Sequence, residues 1–437
     1  MTGNSTPSRI FGIGLDGFPL SLARKFMTDG VMPNLSQLAA SGRLREIESV
    51  VPTVSNVAWA SFQTGKAPGE FGVYGFVELK PDLQLAIPDA RSLGEETIWK
   101  RLSDAGQRVV SLSVPMTYPA PEVNGLLVSG FLAPQLDERA VSTPEVLEKL
   151  ARTRYEIDVD PRVAHHSIEA FQRELTRVSA ARQKTALALM ESEPWDLFFL
   201  HVMDTDRINH FMWRSQHEPE SAQGTFFRDF YAGIDRFLGE VAERLPGDAA
   251  LFICSDHGFC DLGREVQLNR WLRSEGYLDY ELDPGRMYRA IRPGSRAVSL
   301  VPGRIYLLTS DRWDIGAVHP EESESLRNEL TIKLKELKDP QSGGTICRRV
   351  MNCEEAFGQS ATGHAPDIVL DPVNGYDLKA QLGEGDIFET SPRTGMHTFD
   401  DALLLTDSRL GFLAESRNIT EVGRNLSAIM INQAERQ

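Results

Sequence analysis

Short apolar runs alternate along the chain with stretches of helical period, and the alternation predicts an α/β fold built on a largely parallel sheet. The runs Ile10–Leu15, Val109–Val114, Leu126–Ser129, Leu197–Val202, Leu251–Ser255 and Ala402–Leu405 read as strands. The segments Leu20–Thr28, Asn34–Ala40, Val57–Thr64, Ser167–Met190, Phe226–Arg244 and Ser323–Leu337 read as helices. Ser167–Met190 is a long amphipathic helix that leads into the strand after Pro194. Between about 280 and 390 the pattern loosens, interrupted by Pro284, Pro293, Pro302, the pair His319-Pro320 and the pair Gly343-Gly344. It returns at Gly395. The expected organisation is a discontinuous core, residues 1–279 and 391–437, with 280–390 inserted as a cap that sets substrate specificity. No internal repeat or low-complexity tract is present.

A chain of 437 residues holds one large α/β domain with insertions, or two ordinary domains. Apolar and charged contents of 41% and 25% are those of a globular protein. No stretch reaches the ~20 apolar residues that span a bilayer. The polar start, Met1 to Arg9, lacks the regions of a signal peptide, which predicts a cytoplasmic protein with no membrane partner. Cys254, Cys260, Cys347 and Cys353 form no CxxC pair and suggest neither a disulfide framework nor a structural zinc site. The formal charge of −16 disfavours a nucleic acid duplex, a polyanion, as partner. It leaves room for a small phosphorylated substrate, because metal ions reverse the local field of a carboxylate site.

Catalytic groups in open α/β sheets lie beyond the carboxyl ends of the strands. The first strand ends in Leu15-Asp16-Gly17. The strand Leu197–Val202 leads to Asp204, Asp206, Arg207 and His210, and Leu251–Ser255 leads to Asp256-His257-Gly258. His397 lies just before the last strand. Asp and His together suit zinc, and also manganese or iron. Asp206 and His210, four apart, share one face of a helix. Six such ligands are enough for two metals. Each element alone has a plainer reading: an Asp after a strand caps a helix or makes a turn, and Asp206 with His210 makes a solvated helix face. The order of all of them after successive strands is what carries the metal reading.

Ser55 sits where a loop turns into a helix, whose unpaired N–H groups and positive potential suit a phosphate oxygen. The plainer reading makes Ser55 or Thr53 only the helix N-cap. Thr53 is the rival nucleophile; Ser61 lies inside the helix.

These residues resemble the type I phosphodiesterase/nucleotide pyrophosphatase family, a branch of the alkaline phosphatase superfamily. The resemblance rests on Gly14-Leu15-Asp16-Gly17, Met32-Pro33-Asn34-Leu35, Ser55-x-x-Ala58-Trp59, Thr64-Gly65-Lys66-Ala67-Pro68-Gly69, Asp206-Arg207-Ile208-Asn209-His210-Phe211, Asp256-His257-Gly258-Phe259, Leu268-Asn269-Arg270-Trp271-Leu272 and Gly395-Met396-His397. It implies an alkaline-phosphatase-like sheet flanked by helices. It also implies how two divalent ions divide: Asp206, His210 and His397 on one, and Asp16, Asp256, His257 and the nucleophile Ser55 on the other. The family nucleophile is usually Thr; a Ser makes the same phosphoenzyme ester. Family members often carry His-Gly where this chain has Phe71-Gly72, and the family's phosphoryl-binding Asn has no clear match, Asn56 being the substrate contact nearest Ser55. Lys66 and Arg207 are candidate phosphate contacts, with exposed solvation as the plainer reading. The expected activity is two-metal hydrolysis of phosphate esters, of the phosphodiesterase/nucleotide pyrophosphatase type, through a phosphoseryl intermediate. A phosphomonoesterase or phosphonate hydrolase on the same site is the alternative, and a catalytically dead metal-binding protein the remaining one. His165, His166 and His364 lie in the segments expected to choose the leaving group.

Overall fold

The computed structural model describes residues 7–94, 96–283, 285–359, 361 and 364–434. The first six residues and Pro284 lie outside the described residues. A seven-stranded sheet forms the centre, in the order Arg43–Ile47, Ala402–Thr406, Ala249–Cys254, Arg9–Leu15, Leu197–Val202, Val109–Val114, Gly125–Ser129. The last five in that order pair in parallel. Ala402–Thr406 runs antiparallel to both of its neighbours. The inner strands are apolar at nearly every position because helices cover both faces of the sheet. Alternate residues divide between two cores. Phe11, Ile13, Phe198 and Leu200 face one, with the helices Leu20–Thr28, Ile168–Ser192 and Ala222–Arg244. Ile10, Leu197 and Phe199 face the other, with the helices Ser55–Thr64, Ile98–Asp104 and Ile419–Ala434. The predicted strands and helices are all present, with ends that move by a few residues.

The edge strand Arg43–Ile47 was not predicted. Its sequence, Arg-Leu-Arg-Glu-Ile, is too charged to read as a run, and an edge strand tolerates that charge because only one of its sides pairs. The stretch of loosened pattern also has structure. Four antiparallel strands, Ala297–Leu300, Arg304–Leu307, Ile368–Pro372 and Cys347–Asn352, form a second sheet. The helix Ser323–Glu336 turns Leu326, Leu330 and Leu334 into the core of this region. That core reaches outside 280–390, taking in Leu79, Leu83, Val266 and Trp271.

Candidate active site

Three neighbouring parallel strands end together. Gly14 of the central strand is level with His201 on one side and Cys254 on the other. Asp16 follows the central strand, and Gly17 turns the chain with φ 59°. A Cβ at Gly17 would stand 2.7 Å from Phe259 and 2.9 Å from His257, so glycine is needed for space as well as conformation. Thr205 Oγ1 donates to the Asp16 carbonyl at 2.7 Å and Asn209 Nδ2 to the Gly17 carbonyl at 2.8 Å, which fixes the turn. At Gly14 a Cβ would meet the Trp59 ring at 2.4 Å. The missing side chain lets the indole in, and its Nε1–H donates to Asp16 Oδ2 at 2.9 Å.

The helix Asp204–Met212 carries Asp206 and His210 on one face. A two-stranded ribbon, Gly258–Asp261 with Gly395–Thr398, pairs His397 with Phe259 and brings it to the same place. His397 Nε2 lies 3.1 Å from Asp206 Oδ1 and 3.0 Å from His210 Nε2. Asp16, Asp256 and His257 gather beside Ser55, the first residue of the helix Ser55–Thr64, whose start no side chain caps. Ser55 Oγ–H donates to Asp16 Oδ1 at 3.1 Å, and Ser55 Oγ is 3.3 Å from His257 Nε2. His257 Nε2 is 3.5 Å from Asp16 Oδ1 and 3.4 Å from Asp256 Oδ2. The two groups touch through Asp206. One ligand atom each from Asp206, His210 and His397 lies within 4.8 Å of the others, and the same holds for Asp16, Asp206 and His257.

All three imidazoles are turned the same way. Nδ1–H of His210 donates to the Gly395 carbonyl at 3.1 Å, that of His257 to Gly258 at 3.0 Å and that of His397 to Thr53 at 3.2 Å. Each Nε2 then points its lone pair into a cluster of carboxylates. Two such lone pairs 3.0 Å apart repel unless a cation stands between them, and Asp256 Oδ2 is buried with no hydrogen-bond partner. Without cations the burden falls on protons. Burial opposes charge on His257, yet the carboxylates of Asp256 and Asp16 outweigh it and push its pKa up to about 10. Burial, with the charge of Asp16, pushes Asp256 well above the carboxylate range. Burial, with the positive His257 next to it, lowers His397 to about 4. A buried set that must borrow protons to balance its charge is one that divalent ions fit.

Ser55, Asp206, His210 and His397 open on a cavity of about 300 Å³. Arg207 and His165 line it as well. Arg207 is buried, not solvated: it lies 3.2 Å from Asp206 Oδ2, 2.5 Å from Asp158 Oδ2, and over the Phe131 ring at 4.7 Å. His165 packs edge-on against Phe211. His166 and His364 are exposed. Lys66 pairs with Glu96. Asn56 is buried, and its amide donates to the Gly75 carbonyl at 2.6 Å while Oδ1 has no partner. Thr53 Oγ1 donates to the Val50 carbonyl at 2.9 Å, and Ser61 is buried within its helix. The four cysteines are free thiols.

Sequence reasoning passed over His201. Its Nε2–H donates to Asp16 Oδ2 at 2.8 Å, so that carboxylate oxygen is held by both Trp59 and His201 while Oδ1 faces Ser55. The signal was there: a histidine inside a strand apolar on both faces needs a buried partner. A second omission is the chain of ion pairs Asp204, Arg182, Asp158, Arg207, Asp206, buried except at the half-buried Asp158. Here Arg182 lies 3.2 Å from Asp204 and 3.6 Å from Asp158, and it ties the segment before Pro161 to the site.

A central, mostly parallel sheet with paired Asp and His groups round a helix-terminal serine defines the class: phosphoester hydrolases of the alkaline phosphatase superfamily. Within that class the chain belongs to the type I phosphodiesterase/nucleotide pyrophosphatase family, whose description matches residues 10–400. Among solved structures it is similar to phosphonoacetate hydrolase from Sinorhizobium meliloti 1021 in complex with phosphonoacetate. The TM-score is 0.62 at 18% identity, over 97% of this chain and 96% of that one. It is also similar to an inactive variant of murine ectonucleotide pyrophosphatase/phosphodiesterase 5 in complex with AMP, with TM-score 0.56, 14% identity, and 97% and 95% of the chains covered. The human protein of that name gives 0.54 at 14% identity, covering 97% and 94%. No curated protein sequence matches this chain. Among the described residues, no helix is long and apolar enough to cross a membrane.

Proposed function

We propose that this protein is a two-metal phosphodiesterase of the nucleotide pyrophosphatase type, with Ser55 as nucleophile. The observation that carries the reading is the common turn of the three imidazoles, each Nδ1 tied to a carbonyl and each Nε2 aimed at carboxylates round Ser55. Asp206, His210 and His397 would hold one divalent ion, and Asp16, Asp256 and His257 the other, with Ser55 beside it. Zinc fits the donor set best, manganese or iron next. When bound, the ions supply Lewis-acid charge to the attacking and departing oxygens.

The chain's own groups do the rest. Trp59 and His201 hold Asp16 Oδ2, so that Oδ1 fixes the Ser55 hydroxyl at the open start of its helix. Ser55 Oγ attacks phosphorus, the bond from phosphorus to the leaving oxygen breaks, and the hydroxyl proton is taken up on balance by the leaving alcohol. Water then cleaves the phosphoseryl ester and restores Ser55. The sum is diester plus water to monoester plus alcohol. Arg207, held by Asp158 and Asp206 on the cavity wall, lies where it meets phosphoryl charge. In this reading residues 280–390 act as the cap over the site.

The test is a substrate panel on protein stripped with chelator and then reloaded with zinc, manganese or iron. It comprises p-nitrophenyl phosphate, bis-p-nitrophenyl phosphate, phosphonoacetate and a nucleoside triphosphate. Stripped protein should be inactive, and zinc should restore diester cleavage at least about tenfold above monoester cleavage. Full activity without metal overturns the mechanism; phosphonoacetate as the best substrate overturns the choice of ester.

A further inference from the structure

The cavity at Ser55 does not end there. A groove of about 830 Å³ continues from it, and the two share His165, Val301, Lys379 and Arg393. A phosphoryl group needs only the smaller space, and the larger is the size that takes a drug-sized organic body. Part of the groove wall is apolar and open, next to the carboxylates of Glu281 and Asp283, which would repel an anionic substituent. Leu282 and Met287 are 52% and 57% exposed, two of the five large apolar side chains left open among the described residues, and both line this one concavity. Beside them Tyr288 is pinned, its hydroxyl donating to the carbonyls of Ala380 at 2.8 Å and Ser299 at 3.2 Å, so its ring is a fixed surface. Leu382 and Val77 complete the wall.

The junction between the two spaces is balanced in charge. Lys379 lies 2.5 Å from Asp377 and 3.9 Å from Glu265, and Arg393 lies 3.9 Å from Asp377. Two cations facing two carboxylates leave little attraction for a second anionic group on the substrate. Asp206, His210 and His397 face the cavity, whereas Asp16, Asp256 and His257 do not line it. We propose that the physiological substrate is a phosphate ester whose substituent is an uncharged, apolar body with a flat or bulky face. The phosphoryl group sits at Ser55, and this body lies in the groove against Leu282, Met287 and Tyr288. This rests on the phosphoryl site proposed above and adds the substituent's chemistry.

Binding separates the two claims without turnover. Calorimetric titration of zinc-reloaded protein would use methylphosphonate, (1-naphthylmethyl)phosphonate and phosphonoacetate. The naphthyl compound should bind about tenfold or more tighter than methylphosphonate, from the apolar surface it buries. In the double variant Leu282→Gln, Met287→Gln that advantage should shrink several-fold while methylphosphonate binds as before. Both positions are exposed, so the variant should fold like the parent. Equal binding of the naphthyl and methyl compounds, an advantage that survives in the double variant, or tighter binding of phosphonoacetate than of the naphthyl compound would each overturn the inference alone. Failure of methylphosphonate itself to bind would remove the phosphoryl site, and the inference with it.

Discussion

Ser55 and Thr53 stand two residues apart in one loop, and either hydroxyl has the chemistry of a nucleophile. Their surroundings separate them. Ser55 Oγ meets Asp16 and His257, whereas Thr53 Oγ1 is spent on the Val50 carbonyl. Thr53 serves through its backbone, where its carbonyl accepts Nδ1–H of His397 and so aims that ring. A Ser55→Ala variant should keep both metals, since the Asp and His ligands remain, and lose about 10³-fold or more in turnover. Ser55→Thr should keep substantial activity, and Thr53→Ala should still form the ester on Ser55. Acid quenching during turnover followed by peptide mass spectrometry reads this directly. A phosphoester on Thr53, or normal turnover in Ser55→Ala, removes Ser55 from its role.

At the scale of elements, the two ligand groups depend on different pieces of the fold. One uses a helix, Asp204–Met212, and the ribbon strand Gly395–Thr398; the other uses the ends of the two strands Arg9–Leu15 and Ala249–Cys254. Loss of one group should therefore leave the other standing. His210→Ala and His397→Ala should each lower metal content from about two per chain towards one, and Asp256→Ala should do the same at the other position. Elemental analysis gives the count, and anomalous scattering at the zinc edge gives the place. A single variant that empties both positions would show that Asp206, close to both groups, joins them into one unit. The same elements explain what could be read in the sequence. The strand-end carboxylates and the spacing of Asp206 and His210 are local patterns, and a local pattern survives in one dimension. His201 and Arg207 were missed or misread because their partners, Asp16 and Asp158, are 185 and 49 residues away. The second sheet was missed for a related reason. Its strands find their partners across long intervals, Arg304–Leu307 on Ile368–Pro372 and that strand on Cys347–Asn352, while the pair Arg348-Arg349 and the pair Pro302-Gly303 break the apolar pattern locally.

For the whole molecule the charge of the site becomes a question of stability. Asp16, Asp206 and Asp256 are buried together in a chain of net charge −16, and without metal the proton on His257 joins Arg207 in offsetting their charge. The folded pKa of His257, about 10, lies above the unfolded value near 6.5. The folded state therefore holds a proton that the unfolded state releases as pH rises. The resulting stability is complete below about pH 6.5 and drains away towards pH 10. Asp256, pushed up by burial and by Asp16, acts with the same sign, because its folded form resists losing its proton. His397, lowered to about 4, has already lost its proton in both states above neutrality and adds nothing in this window. Bound cations replace these protons, so the loaded protein should lack the slope and also melt higher, because metal binds the native state. Thermal melts of chelator-stripped and zinc-loaded protein between pH 7 and 9 should diverge, with the stripped form losing about 1.4 kcal/mol per pH unit, relative to the loaded one, for each proton that His257 and Asp256 still hold. Free cysteines weaken the fold only as pH approaches and passes about 9, and they do so in both forms, so the difference between the two melts isolates the site. Parallel melts across that range would mean that the three carboxylates are not held together in the absence of metal, and that binding of the ions, not folding alone, assembles the site.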